Sequence, residues 1–248
     1  MVTINSNYAA SFAANAAKRT QVDLNSAMEK LSTGKRINFA KDDAAGSAIA
    51  MRIAAEISGL AVASRNAADG QALLDTAEGA LTEVHNVLIR MRELAVQAQN
   101  GTLQTTDVTA LGVEFDALEA EITRIADSTT WAGKKILDGS LHTTGSGSAA
   151  VASPLSIRVG SSETITHQIA DTDAAALNLA ASAVTVGAAS TIGRVDAAIA
   201  KLSEERAKLG AVSNRLDSTV TNLDQIRVNL TASKGRIEDA DFAQETGN

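Results

Sequence analysis

In the second half of the chain, Val195, Leu202, Leu209, Leu216, Leu223, Leu230 and Ile237 recur every seven residues without a break. Apolar side chains at that spacing keep one seam of an α-helix turned toward a partner helix, the pattern of a coiled coil. The first half repeats the theme with Ile53, Leu60, Ala67, Leu74, Leu81, Leu88 and Ala95, joined by Val84, Met91 and Ala98 on the neighbouring seam position. One helix is therefore expected from about Asp43 to Gln99, on the order of 85 Å long at roughly 1.5 Å per residue. Asn100-Gly101-Thr102 should end it through a left-handed cap. A third helix is expected from Thr106 to Asp127, with Leu111, Phe115, Leu118, Ile122 and Ile125 spaced four, three, four, three. Two long seams so far apart in sequence can bury each other only by running antiparallel, which brings the termini together.

The neighbouring seam of the C-terminal series is mixed. Ile199 and Val220 fit it, but so do Arg206, Ser213, Arg227 and Lys234, as if long stems lay over the seam or faced a partner. Only four Phe, one Trp and one Tyr are available, so Leu, Ile, Val and Ala must do the packing, which suits narrow helix contacts better than a thick centre. Residues 139 to 190 change character. GSLHTTGSGSAAVASP is loop-rich and holds the lone proline, Pro154, and LSIRVG, ETITHQI and AVTVGA alternate like short strands. The expected fold class is mainly α: a long antiparallel helical bundle or coiled-coil rod with a small inserted β-containing subdomain.

Near the N-terminus, Ser32-Thr33-Gly34 reads as a turn between helices, and Asp42 or Asp43 as the N-cap of the long helix. Gly34-Lys35 is no phosphate loop, because Glu29 stands where the first glycine should be and Arg36 where Ser or Thr should be. Gly145 to Ala150 brushes a dinucleotide fingerprint, but no strand precedes it and Pro154 follows, so it reads as linker. Asp239, Asp241 and Glu245 lack the glycine and spacing of a calcium loop and read as the charged end of a helix.

Catalytic chemistry finds no foothold. The histidines are scattered, no His-Glu-x-x-His occurs, and Glu119 and Glu121 sit on a helix face without a cleft to perturb them. His142 and His167, with Asp171 and Asp173, are the weak candidates for a divalent ion, surface solvation being the stronger reading. No enzyme activity and no cofactor is expected. A formal charge of −7 with no clustered Lys and Arg argues against nucleic acid. The absence of cysteine excludes a disulfide scaffold and fits a reducing cytosol or an exported protein equally. No apolar run of 18 residues is seen, so no membrane insertion is expected. The opening MVTINSNYAASFAANAAKRT lacks the parts of a secretory signal, so export would use another route.

Several blocks are family signatures: LSTGKRINFAKDDAAGSAIA, RNAADGQALLDTAEGALTEV, IRMRELAVQAQNGT, EITRIADSTTWAGKKILDGS, RAKLGAVSNRLDSTVTNL and RIEDADFAQE. In this order they resemble bacterial flagellin, covering residues 1 to 140 and about 190 to 245. The resemblance implies a structural subunit of the flagellar filament, extracellular, self-assembling with other flagellin subunits after passage through an export apparatus with an export chaperone. It implies that residues 1–42 form an inner-core helical segment, that 43–138 with 191–248 form the helical rod, and that 139–190 form a variable, outward surface region.

The resemblance also implies some forty further residues of helix beyond the RIEDADFAQE block, a partner for the first segment that this sequence does not carry. Without it the stripe of Ile4, Tyr8, Phe12 and Leu24 stays unburied, and poor polymerisation is expected. Flagellins are bound by an innate immune receptor through the RMRELAVQ-type helix, and Arg90, Leu94, Gln97 and Glu114 match those positions. The alternative for these residues is packing against neighbouring subunits. Two other functions compete: a cell-surface adhesin capturing an acidic polysaccharide or a host surface, and a hook-filament junction protein. The adhesin reading must contend with Arg158 as the lone firm cation of the insertion, against Glu163, Asp171 and Asp173.

Overall fold

In the computed structural model, residues 7–139, 143–144, 151–152, 155–160, 163–180 and 186–247 are described. His142, Pro154, the Gly145–Ala150 stretch, Ile4 and the first half of AVTVGA lie outside them. The elements in order are helices α1 (Tyr8–Thr33), α2 (Ala44–Ala98) and α3 (Thr105–Ser128), then six short strands, then α4 (Ala189–Glu238) and α5 (Phe242–Gly247). The strands form three antiparallel pairs: β1 (Thr130–Trp131) with β2 (Lys134–Lys135), β3 (Thr143–Thr144) with β4 (Val151–Ala152), and β5 (Leu155–Arg158) with β6 (Thr164–His167). The protein is mainly helical, and the long helices fall within a residue or two of the spans their heptads predict.

Contacts divide the protein into two compact units, residues 1–61 with 224–248 and residues 62–223. The division falls inside α2 and α4, because packing and not the continuity of a helix decides compactness.

In the first unit, Asn7 caps α1 by accepting from Ala10 N–H, and Gly34 ends it in the left-handed conformation (φ 69°), its N–H reaching Lys30 O. A side chain is disfavoured at that φ, which is why glycine stands there. The segment after Gly34 is then fastened to the end of α4. Arg36 N–H donates to Glu238 O (2.6 Å), Ala240 N–H to Gly34 O (3.0 Å), and the Arg36 guanidinium to Ile237 O (2.8 Å). Lys30 pairs with Glu245 at 3.0 Å. The doubled aspartate divides its labour. Asp42 accepts from the N–H groups of Asn38 and Phe39, the Phe39 bond being the main cause that holds its carboxyl below the usual value. Asp43 caps α2, accepting from Gly46 N–H at 2.8 Å. Asp241 caps α5 in the same way.

In the second unit, α2 and α4 run antiparallel. Gln71 bonds Asp217, Arg206 bonds Glu78 (2.8 Å) and Arg92 bonds Asp196 (2.7 Å), so partners in α4 step backward as α2 advances. Leu74, Leu81 and Leu88 share one buried cluster with Leu202, Leu209 and Leu216. Leu223 is also buried, whereas Leu230 and Ile237, in the first unit, are only half-buried. Arg206, on the mixed seam, is partly covered and reaches across to Glu78, as a long stem over a seam should.

Helix α3 adds Phe115, Ile122 and Ala126 to the same cluster. The turn before it corrects one expectation. No residue of Asn100–Thr102 has positive φ; two successive turns, Asn100 N–H to Gln97 O and Leu103 N–H to Asn100 O, end the helix instead. Ala132 (φ 49°) and Gly133 (φ 79°) form the two-residue turn of the β1–β2 hairpin, which leads into fully buried Ile136 and Leu137.

Residues of the insertion contribute to the helices' core. Ile157 pairs with Ile165 across β5 and β6, and both are buried in the helices' cluster with Val159, Ile169 and Leu179. Gly70 of α2 makes room: a Cβ there would stand 2.5 Å from Ile157 Cδ1. Asn66 Nδ2 donates to Arg158 O at 3.1 Å beside it. Of AVTVGA, the described residues Val186 to Ala188 are turn, not strand.

One membrane expectation needs correcting. An 18-residue window of α2 has mean hydropathy 1.3 with at most two charges, so by length and composition α2 is apolar enough to cross a bilayer. Alanine, counted residue by residue, lifts the average even though Arg52 and Glu56 break any uncharged run. Only 11% of that window is buried.

Candidate assembly surface

Helix α3 lies on α2 and leaves a charged rim at the surface. Arg90 and Gln97, one heptad apart, are exposed, and Leu94 between them is 0% exposed. Helical spacing explains the split, since Leu94 falls on the stripe that joins the core cluster while Arg90 and Gln97 stand at the rim. From α3, Glu114 accepts from Arg90 Nε (3.0 Å) and Nη2 (2.8 Å), and Glu93 accepts from Nη1 (3.0 Å). The bond to Glu114 is the first cause, and that to Glu93 the second, that raises the Arg90 pKa above its ordinary value. Ile89, Val96 and Val113 are exposed large apolar residues on the same two helices. Of the four residues matched to a receptor contact, the structure brings Arg90 and Glu114 together, leaves Gln97 exposed beside them, and places Leu94 in the core.

The weak metal candidates part company. Asp171 accepts from Asp173 N–H, and Asp173 accepts from Ala176 N–H at 2.6 Å, so both hold a local turn. His167 faces α4 instead, its Nε2 3.9 Å from Glu205 Oε1. His142 is not described. Among the described residues no group of three or more potential ligands gathers.

Sequence reasoning alone does not find Glu205. It is 4% exposed in the α4 seam region, accepts from Ala170 N–H at 2.9 Å and lies 3.5 Å from Lys208 Nζ. A buried carboxylate needs such partners, and here they fasten the segment after β6 to α4. An acidic residue three positions beyond a seam leucine is the available signal. A cleft of about 630 Å³ opens beside it, lined by His167, Lys208 and Arg215 among others.

The second surface belongs to the first unit. Among its described residues only Ile37 and Ala50 are buried apolar side chains, while Tyr8, Phe12, Val22, Leu24, Met28, Met51, Val228 and Phe242 are all more than half exposed. Such an excess of open apolar surface marks a protein made to be covered by others.

Mainly helical, with long paired seams and an apolar face left open, the protein is by class a structural subunit. The family model described as bacterial flagellin N-terminal helical region matches residues 4–142, and that described as bacterial flagellin C-terminal helical region matches residues 192–248. Flagellin of Halalkalibacterium halodurans is 43% identical over 240 residues, covering 94% of this chain and 85% of the relative. Flagellin of Bacillus subtilis is 41% identical over 246 residues, covering 88% and 81%. The crystal structure of Bacillus cereus flagellin superposes with a TM-score of 0.52 at 32% identity, over 64% of this chain and 88% of that one. Bacillus cereus FlgL, at 18% identity and a TM-score of 0.55, over 75% of this chain and 99% of that one, shares the fold alone.

The chain belongs to the bacterial flagellin family. It is a structural subunit of the flagellar filament, placed at the flagellum and cell surface. These matches favour neither polysaccharide capture nor a hook-filament junction role.

Proposed function

We propose that this protein assembles with copies of itself through the open apolar faces of the first unit, after export in an unfolded state with the help of an export chaperone, and that it carries no enzymatic activity. The observation that carries the reading is the first unit's inventory, among its described residues, of two buried apolar residues against eight large apolar side chains more than half open. At about 25 cal/mol per Å² of apolar surface, covering those side chains supplies the drive for association. The absence of cysteine suits passage in an unfolded state, since no disulfide can form on the way.

Met51→Glu with Val228→Glu tests this, at positions 67% and 59% exposed. The isolated double variant should keep its helicity and melting temperature, because both sites are open. Its elongation of filament seeds sheared from the source bacterium, followed by light scattering and electron microscopy, should fall roughly tenfold or more, the cost of ~1.4 kcal/mol or more per association step. Elongation at the wild-type rate would refute the proposal.

A second reading, an innate immune receptor docking on the α2–α3 face, draws support from the exposure of Arg90, Gln97 and Glu114. Leu94 would act there only by holding the helix in place. Arg90→Ala with Gln97→Ala should weaken receptor signalling while leaving the fold intact, because the ion pair at Arg90 is solvent-screened. Signalling at full strength would remove this reading.

A further inference from the structure

We propose that Asn100 is a site of spontaneous covalent modification, an intramolecular deamidation directed by the turn between α2 and α3. Asn100 and Gly101 are both exposed and lie outside any helix. Apart from the adjoining residues, nothing stands within 4 Å of where a Gly101 Cβ would be, so the space beside this glycine is open. The Asn100 side chain turns back along the chain toward Thr102. Its Oδ1 accepts from Thr102 N–H at 3.3 Å, and the ring this bond closes contains both Asn100 Cγ and Gly101 N. A donor on Oδ1 also stabilises the negative charge that grows there when Cγ is attacked.

The chemistry balances without any oxidant or reductant. Gly101 N, losing its proton to hydroxide, bonds to Asn100 Cγ. The Cγ–Nδ2 bond breaks, and the amide nitrogen leaves with a solvent proton as ammonia. Water then adds to either carbonyl of the five-membered imide, giving aspartate or isoaspartate. The helical asparagines provide the contrast. Asn15, Asn25, Asn66, Asn86, Asn214, Asn222 and Asn229 are each followed by a residue bearing a side chain, inside an α-helix where the next N–H is committed to the carbonyl four residues back. Asparagine is thermolabile where such restraint is missing.

The product alters the joint itself. An acid at the end of α2 opposes the helix dipole, and isoaspartate adds a backbone methylene next to Gln99, whose Nε2 donates to Ala188 O at the start of α4 (3.1 Å).

The purified protein, held folded at mildly alkaline pH and body temperature, is digested with trypsin over time. The peptide spanning residues 93–124 is read by mass spectrometry, and its isoaspartate by isoaspartyl methyltransferase labelling. That peptide should acquire acid and isoaspartate faster than those carrying the helical asparagines, and faster as pH rises. Gly101→Val should slow conversion on the order of tenfold, with unchanged helicity. Two results would overturn the proposal: Asn100 keeping its amide over the time in which the free peptide QAQNGTLQ converts fully, or Gly101→Val converting at the wild-type rate.

Discussion

Phe115→Ala should lower the stability of the unit formed by residues 62–223 by about 3–5 kcal/mol. Phe115 is 1% exposed and the largest fully buried side chain among the described residues. With one Trp, one Tyr and four Phe in the whole sequence, it supplies bulk that Leu and Ala around it cannot replace. It projects from α3 into the cluster shared by α2 and α4, so its loss opens a cavity where three helices meet, and helices stiffened by their own hydrogen bonds collapse poorly into such a space. At about 2–4 °C per kcal/mol for a domain of this size, the melting temperature should drop by roughly 6–20 °C. Differential scanning calorimetry measures it, and a shift within error of zero would mean that α3 does not pack where the structure puts it.

Gly70→Val should be the second most damaging change, although glycine is ordinarily a poor helix residue. Replacing it gains a few tenths of a kcal/mol in helix propensity. Against that stands Ile157, whose Cδ1, Cγ1 and Cγ2 lie 2.5, 3.2 and 3.3 Å from the Cβ that valine would bring. Ile157 is itself buried and its backbone is held in register by four β5–β6 pairs, so turning Cδ1 aside relieves the closest contact but leaves Cγ1 and Cγ2 crowded against the new side chain. Overpacking of this kind costs about 1–3 kcal/mol, which outweighs the propensity gain. The mechanism has its own signature in a double-mutant cycle: in an Ile157→Ala background the Gly70→Val penalty should largely vanish. Equal penalties in both backgrounds would place the cause elsewhere.

The helices are legible in the sequence because they are held by a repeating physical cause. A seam needs an apolar residue every seven positions, so Leu74, Leu81 and Leu88 announce their partners Leu202, Leu209 and Leu216. The turn at Gly34 is legible, and the N-cap is legible to within Asp42 or Asp43, since an orphan N–H selects few residue types; which glycine takes the left-handed conformation is not, for it is Gly34 and not Gly101. Where the cause is not periodic, the residues speak less clearly. Alternation in LSIRVG and ETITHQI indicates strands, but not that Ile157 and Ile165 enter the helices' core, because that depends on Gly70 far away along the backbone. A glycine within an otherwise strong helical pattern is the signal for a close backbone approach. Glu205 escapes notice because a charged residue near a seam resembles a solvated rim position until Ala170, Lys208 and His167 are seen around it. The boundary between the two units is hidden for a related reason: α2 and α4 run on without a break, and only the density of contacts changes.

The α2–α4 register is the claim on which the rest stands, and a protein without cysteine allows a clean test of it. Gln71→Cys with Asp217→Cys, and separately Arg92→Cys with Asp196→Cys, should each be joined within one molecule by a short bis-maleimide. Gln71→Cys with Asp196→Cys, out of register by about six helical turns at 3.6 residues per turn, should not. Efficient linkage in the mismatched pair, or none in the two matched ones, would contradict the antiparallel seam and the account built on it.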